Sequence, residues 1–245
     1  RALIDDEVIV KRNPSNPNDS RWMVVKDINE INVPDTLEQM LGARIDKLAD
    51  ESKAVLQNSA VIGRTFEYDI LENVSEGLDH LDEHISRLSI LDMVELKMPP
   101  TDPAEYNFGH IVTHEIIYSA IPATRRRHLH TQVGDWLEAK HQDHLERMYE
   151  LLAQHYWEGE DALKAVIYLA KAGTKAKQQF NNQQALTFYQ QGIERFDQLS
   201  VDCPEERRTI HEGLGDVHSI LGEFDDALEN YTKILHTSRA ALHRA

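Results

Sequence analysis

The last part of the chain carries the pattern that most constrains the fold. Within residues 205–238, small and apolar residues recur at helical spacing on both sides of a glycine, which predicts two helices joined by a tight turn. The positions that define the pattern are Leu214, Gly215, Gly222, Phe224, Ala227, Tyr231 and Leu235. Since one helical hairpin cannot bury its own apolar face, further hairpins are expected upstream.

This hairpin resembles the tetratricopeptide repeat, whose period is about 34 residues and whose small residues let two antiparallel helices pack closely. It departs from that family at His218, where an aromatic residue is usual, and at Ile234, where alanine is preferred. Residue pairs at a spacing of four recur along the chain at unequal intervals: Ala165 with Leu169, Ala185 with Tyr189, and Ala227 with Tyr231. The recurrence predicts an α-solenoid of degenerate tetratricopeptide-like repeats over residues 122–245.

Composition limits the partners and the compartment. The 245 residues suffice for one large domain or two smaller ones. A net charge of −16 argues against nucleic acid as the main partner, because phosphate binding needs a basic surface. The single cysteine, Cys203, excludes an internal disulfide and fits a reducing compartment, so a cytoplasmic location is expected. No apolar run approaches the roughly 20 residues needed to span a bilayer, and no membrane partner is expected.

Residues 1–49 read as two short strands and a helix. Glu7–Lys11 and Trp22–Lys26 are rich in β-forming residues and are separated by a loop dense in Asn, Pro and Ser. Thr36–Leu48 has apolar residues at helical spacing, with Asp35 as a suitable N-cap. Because the chain starts in the middle of a structured pattern, we expect it to be a fragment of a longer intracellular protein.

Residues 50–121 predict three helices followed by a β-hairpin. The expected elements are a helix through Ala54–Ile62 that ends at Gly63, a short helix at Tyr68–Val74, a helix from Leu81 to Leu91, and strands at Met93–Lys97 and Glu105–Phe108. The segment between the two strands, MPPTDPA, contains three prolines, which suit a loop and not a β-ladder. Three helices with a terminal hairpin is the layout of a winged-helix domain.

From residue 110 onward only helices are expected. In chain order they are His110–Ala120, Ala123–Ala139, His144–Glu158, Asp161–Gln178, Gln183–Leu199, Glu205–Leu221 and Phe224–Leu242. The sequence therefore predicts a mainly α protein: a winged-helix-like domain with a small β-hairpin, then the solenoid.

Three segments resemble signalling ATPases of the STAND type, in particular those fused to class III adenylate or guanylate cyclases. They are VPDTLEQMLGARIDKLADESKAVLQNSAVIGRTFEYDIL, YNFGHIVTHEIIYSAIPATRRRHLH and ELLAQHYWEGEDALKAVIYLAKAG. The resemblance implies an upstream P-loop ATPase core that binds ATP and Mg²⁺, with residues 1–49 as the end of its associated segment. It also implies that the winged helix packs on that core and that the repeats sense a protein partner.

The chain itself is not expected to be an enzyme or to hold a cofactor. It contains no GxxxxGK[ST] motif, so the backbone cradle and the lysine that bind nucleotide phosphates are absent from the sequence. Gly63, Arg64 and Thr65 imitate the end of that motif but lack its lysine. The family resemblance implies cyclase aspartates on a separate domain, and no matching motif occurs here.

His110 and His114 raise an alternative, a metal-dependent hydrolase. Two imidazoles four residues apart on a helix can bind zinc. Glu115 follows the second imidazole, but the order is not HExxH and no third ligand is evident. We therefore expect no metal here and assign these side chains to hydrogen bonds that fix the helix beneath the hairpin.

Arg125, Arg126 and Arg127 form the one basic cluster of an acidic chain. The simplest interpretation is a solvated helix face whose arginines pair with nearby Asp or Glu. The alternative is a docking patch for the ATPase core or another anionic partner, since guanidinium groups bind carboxylate and phosphate through two hydrogen bonds. The thirteen histidines are scattered, which favours exposed helical positions over a pH sensor.

A winged helix also raises a second alternative, a transcriptional regulator with a tetratricopeptide-like sensor region. The third helix of such a domain enters the DNA major groove. Here it carries Asp79, Asp82 and Glu83 against a single Arg87, and these carboxylates would be repelled by phosphate. We therefore favour a non-catalytic regulatory and protein-interaction region, in which the repeats bind a protein partner or the parent's own nucleotide-binding core.

Five aromatic residues of the repeats fall at the spacing of helix-packing positions: Tyr156, Trp157, Tyr168, Phe188 and Tyr189. They are expected either in the core between hairpins or in the lining of a groove that binds a partner.

Overall fold

The computed structural model describes residues 9–11, 22–24, 37–196, 198–199 and 203–242, with side chains described between residues 40 and 235 of these ranges. The described part is mainly helical, as predicted, with eleven α-helices and two small antiparallel sheets. The first sheet pairs β1 (Ile9–Lys11) with β2 (Trp22–Val24), at the two predicted strands. The loop between them and the proposed cap at Asp35 lie outside the described residues.

The next part of the chain folds as a helical unit with a three-stranded sheet. Its elements are α1 (Leu37–Asp46), α2 (Asp50–Ile62), β3 (Thr65–Glu67), α3 (Tyr68–Val74), α4 (Leu81–Ile90), β4 (Val94–Leu96), β5 (Glu105–Phe108) and α5 (Ile111–Ala120). The sheet is antiparallel with the order β3-β5-β4, so Tyr106 on β5 lies opposite both Phe66 and Leu96. The predicted hairpin is confirmed, and β3 adds a third strand that the sequence analysis missed.

The remaining described residues form successive helices. These are α6 (Ala123–Lys140), a 3₁₀ segment (Gln142–Met148), α7 (Tyr149–Glu158), α8 (Ala162–Gln178), α9 (Asn182–Phe196), α10 (Pro204–Leu221) and α11 (Phe224–Leu242). The prediction of a single helix from His144 to Glu158 was wrong, because His144 lies inside the 3₁₀ segment and has the non-helical angles φ −141°, ψ 31°. The helix predicted to reach Leu199 ends at Phe196.

The helices pair as the antiparallel hairpins α6–α7, α8–α9 and α10–α11, and the same contact closes each pair. A glycine on the first helix faces the ring of a tyrosine on the second, so close that a Cβ on the glycine would lie 2.5–2.9 Å from a ring carbon. The tyrosine hydroxyl then bonds to the residue that follows the glycine. The three sets are Gly134, Tyr156 and Asp135 (3.0 Å), Gly173, Tyr189 and Thr174 (3.3 Å), and Gly215, Tyr231 and Asp216 (2.8 Å). We call this contact the Gly–Tyr interlock.

Two apolar cores meet at α8. The first core runs from α1 to α8 without a break at residue 121, since Ile117 and Ile121 pack with Leu129 and Val133 of α6. The second core lies between α8, α9 and α10 and contains Val166, Leu186, Ile210 and Leu214 among other residues. Within the described residues, no helix is long and apolar enough to cross a membrane.

Candidate interaction surfaces

The predicted docking patch, Arg125, Arg126 and Arg127, lies in the first turns of α6. Arg125 and Arg127 are exposed and Arg126 is half-buried. Arg125 donates to Oδ1 of Asn58 at 3.4 Å, and Arg126 donates to the Tyr118 carbonyl at 3.5 Å with its guanidinium 4.9 Å from the centre of the Tyr118 ring. Among the described side chains, none of the three arginines forms an ion pair with a carboxylate. The expected pairing with nearby Asp or Glu was therefore wrong for this part of the chain.

Three further features make this end of α6 positive. The N-cap position, Pro122, gives no side-chain hydrogen bond, and the first turn contains no acidic residue. A helix N-terminus carries roughly half a positive charge, to which the arginines add. Arg195 of α9 lies close by: burial lowers its pKa, Glu158 raises it and Arg127 lowers it further. Its Nε is buried and has no hydrogen-bond partner among the described residues, while its guanidinium donates to Gln198 and lies 4.6 Å from the centre of the Trp157 ring. Arg195 was not among the arginines predicted for this surface.

His130 and His155 form a buried pair between α6 and α7. Only 3% of His130 and 2% of His155 is exposed, and their Nδ1 atoms lie 3.0 Å apart. The Tyr118 hydroxyl lies 2.9 Å from Nε2 of His130, so it donates there when His130 Nδ1–H donates to His155. Burial lowers the pKa of His130 to about 4 and that of His155 to about 3. Arg126 lowers the pKa of His130 further, and repulsion between the two protonated imidazoles lowers that of His155 further. The prediction that the histidines occupy exposed helical positions was wrong for this pair and for His211, which is 8% exposed.

His110 and His114 are held differently, and the described group of three possible metal ligands includes neither of them. His110 is exposed at the N-cap of α5. Nε2 of His114 lies 2.9 Å from the Ala60 carbonyl of α2, and its ring packs edge-on against Phe108 of β5. Burial, the largest effect, lowers the pKa of His114. His114 therefore fixes α5 against α2 and the hairpin, whereas the neighbouring Glu115 is exposed and pairs with Arg64 at 3.3 Å.

Among the described residues, one group of three side chains has the spacing of metal ligands. It consists of His218, Glu223 and Asp226 at the turn between α10 and α11. Nδ1 of His218 lies 2.6 Å from a Glu223 carboxylate oxygen, and both carboxylates are exposed. The hydrogen bond accounts for the proximity of His218 and Glu223 without an ion.

Two surface clefts run between neighbouring hairpins. The cleft between α8 and α10 has a volume of about 360 Å³ and includes Lys171, Lys175, Glu206 and Tyr149 in its lining. Lys171 is exposed, and its ammonium lies 5.4 Å from the centre of the Tyr149 ring.

The cleft between α7 and α9 has a volume of about 820 Å³. Trp157 and Phe188 are half-buried at its wall, among several glutamine side chains. Tyr156, Tyr168 and Tyr189, by contrast, are at most 2% exposed and belong to the cores.

The residues of the repeat signature divide into packed and exposed groups. Leu214 and Ala227 are buried, and Gly215 and Tyr231 form the third interlock. Gly222 ends α10 in the left-handed conformation, φ 81°, which an L side chain adopts only with strain. Phe224 is 71% exposed.

No protein-family model, no curated protein and no solved structure matches the chain. The function proposed below therefore rests on the contacts within the chain and on the sequence patterns.

Proposed function

We propose that this chain is a non-catalytic regulatory and protein-interaction region, with tetratricopeptide-like repeats that bind a protein partner. The observation that carries the proposal is the Gly–Tyr interlock, which closes three successive hairpins. Tyr189 follows Gly173 by sixteen positions, and Tyr231 follows Gly215 by the same number. A recurring closure of this kind is expected of stacked repeats, whose extended surfaces serve as binding faces.

The preceding helical unit is a winged-helix-like domain in this proposal. Its order is helix, strand, helix, helix, strand, strand, from α2 to β5. The strand between the first two helices, β3, joins the terminal hairpin as an edge strand. This arrangement supports the winged-helix interpretation more closely than the hairpin alone. Asp82 and Glu83 are exposed on α4, which does not favour DNA binding by that helix.

The parent protein in this proposal is a STAND-type ATPase, as fused to nucleotide cyclases, located in the cytoplasm. The positive surface of Arg125, Arg126, Arg127 and Arg195 serves as the docking site for its nucleotide-binding core. It suits a carboxylate-bearing surface because no described carboxylate pairs with the three arginines of α6 and guanidinium groups bind carboxylates through two hydrogen bonds. Partner binding by the repeats then changes the nucleotide state through this contact, which makes the coupling allosteric.

The first step of the test is to read the coding sequence upstream of Arg1 for roughly 300 codons, the length of an ATPase domain. A strand–GxxxxGK[ST]–helix unit in frame is expected there. If no such unit is encoded, the ATPase parent is wrong.

The second step measures ATP hydrolysis by the whole protein with Arg125, Arg126 and Arg127 all changed to Glu. The matched control changes Lys53, Lys97 and Arg208 to Glu, three cations that pair with acidic residues elsewhere on the surface. We expect about a fivefold or larger change in turnover or in its regulation for the patch variant, the size of a typical coupling energy, and none for the control. Equal rates in both variants, each shown to be folded by circular dichroism, would refute the docking role.

A further inference from the structure

Three side chains with metal-ligating atoms meet at the turn between α10 and α11. Nδ1 of His218, a carboxylate oxygen of Glu223 and a carboxylate oxygen of Asp226 all lie within 4.8 Å of one another. The hydrogen bond from His218 accounts for the position of the Glu223 carboxylate. It does not account for the carboxylate of Asp226, which brings a second negative charge to the same place. The turn therefore gathers one imidazole nitrogen and two carboxylates.

The backbone of the turn fixes these three residues relative to one another. His218 lies in the last turn of α10, Glu223 directly precedes α11, and Asp226 lies in the first turn of α11. The Glu223 amide donates to the His218 carbonyl at 2.9 Å, and the Ala227 amide donates to the Glu223 carbonyl at 3.1 Å. Because the backbone is already ordered, an ion bound by all three side chains would cost little further conformational entropy.

The charges of the group favour a cation. Two carboxylates this close together repel each other, and a positive charge between them removes the repulsion. Among the described side chains, no lysine or arginine forms an ion pair with Glu223 or Asp226, and the one described partner of Glu223 is His218. A divalent ion bound by all three side chains would balance both carboxylates.

We propose that His218, Glu223 and Asp226 bind a zinc ion that joins α10 to α11. The imidazole nitrogen selects zinc over magnesium and calcium, which prefer oxygen ligands. Zinc bonds to nitrogen and oxygen are about 2.0–2.2 Å long, so ligand atoms of one ion lie roughly 3–3.5 Å apart, and small side-chain rotations suffice to bring the three together. In the neutral imidazole the ring proton moves from Nδ1 to Nε2, and two metal bonds replace the hydrogen bond to Glu223. Water completes the coordination on the exposed side of the carboxylates.

The test is isothermal titration calorimetry of the whole chain, without a histidine tag, with zinc chloride. We expect one zinc ion bound through this group and a higher melting temperature in the presence of zinc, because the ion binds the folded turn. His218→Gln should weaken zinc binding by about tenfold or more and abolish the rise in melting temperature. His80→Gln is the matched control and should keep both effects: its imidazole lies 3.7 Å from the Glu83 carboxylate, but it is not part of the group of three.

A second variant separates loss of the ligand from loss of the fold. Asp226→Asn, at an exposed side chain, should weaken zinc binding while leaving the melting temperature without zinc close to that of the original chain. A large excess of magnesium should not displace the zinc, since magnesium does not favour imidazole.

Three results would overturn the proposal. If the two variants bind zinc as tightly as the original chain, the three side chains are not its ligands. If magnesium displaces the zinc, the acidic surface attracts cations without a specific site. If the chain binds no zinc up to about 1 mM, the carboxylates serve only to stabilise the positive N-terminus of α11.

Discussion

The buried His130–His155 pair is expected to make the protein sensitive to mild acid. Both imidazoles are held neutral because they are almost fully removed from water and lie 3.0 Å from each other. Protonating one of them in the folded state places an unpaired charge in the core, and protonating both places like charges in contact. The unfolded chain has no such restriction. We therefore predict a steep loss of stability as the pH falls below neutrality.

The size of the effect follows from the pKa values. An exposed imidazole has a pKa near 6.5, against about 4 for His130 and about 3 for His155 in the folded protein. Because the folded pKa values are depressed, the stability is complete above pH 6.5 and is lost as the pH falls from there towards the folded values. Each histidine contributes a slope of up to about 1.4 kcal/mol per pH unit. Between pH 7 and pH 5 the pair removes about 4 kcal/mol, compared with about 5–15 kcal/mol for the total stability of a typical domain.

The assay is urea unfolding at a series of pH values from 7.5 to 5, followed by far-ultraviolet circular dichroism. The measured quantity is the slope of the unfolding free energy against pH. His155→Gln removes one of the two buried titrating groups and should lower the slope by up to about 1.4 kcal/mol per pH unit, even if the variant is less stable at every pH. His128→Gln, at an imidazole with 62% of its side chain exposed, is the matched control and should change the slope less than His155→Gln does.

A slope that is the same in the original chain and in His155→Gln would refute this reasoning. It would mean that the pair takes up protons in the folded state as readily as in the unfolded state. The same result would show that the apolar shell around α6 and α7 admits water to the two rings.

Two other predictions concern single contacts. Gly173→Ala should destabilise the protein by about 1–3 kcal/mol, because the new Cβ would lie 2.5 Å from the Tyr189 ring. Gly42→Ala on α1 is the control, because a Cβ there would meet open space. In the same thermal melts it should be neutral or stabilise the protein by up to about 1 kcal/mol. His114→Ala should lower the free energy of unfolding by about 1–3 kcal/mol, because it removes the hydrogen bond to the Ala60 carbonyl. Elemental analysis should show the same zinc content in the original chain and in the variant. Stoichiometric zinc that is lost with His114 would instead establish the metal site.

The helices were largely predictable from the sequence, because apolar spacing and helix-ending residues act locally. Tyr68–Val74 and Phe224–Leu242 have the predicted bounds, and Gly222 marks the turn between α10 and α11. The strand Thr65–Glu67 was not predictable in the same way. Three residues are too few to show a period, and the strand depends on pairing with Glu105–Phe108, which is distant in sequence.

The side-chain clusters depended on tertiary contacts that spacing does not reveal. His130 and His155 are 25 residues apart, and only the packing of α6 on α7 brings them together. Arg195, on a different hairpin, is likewise close enough to Arg127 for that arginine to lower its pKa. The interlock, by contrast, had a signal that was overlooked: a glycine sixteen residues before a tyrosine occurs twice, at Gly173 and Gly215. At Gly134 the 3₁₀ segment lengthens the spacing and hides it.

The position of α8 supports the proposed coupling between the two halves of the chain. Ala165 and Leu169 of α8 belong to the first core, whereas Val166 and Ala170 of the same helix belong to the second. Because protein cores are close-packed, a small displacement of α8 would change the packing of both cores. In the proposed function, a partner that occupied the cleft between α8 and α10 would contact this helix, and the packed side chains of the first core connect α8 with α6.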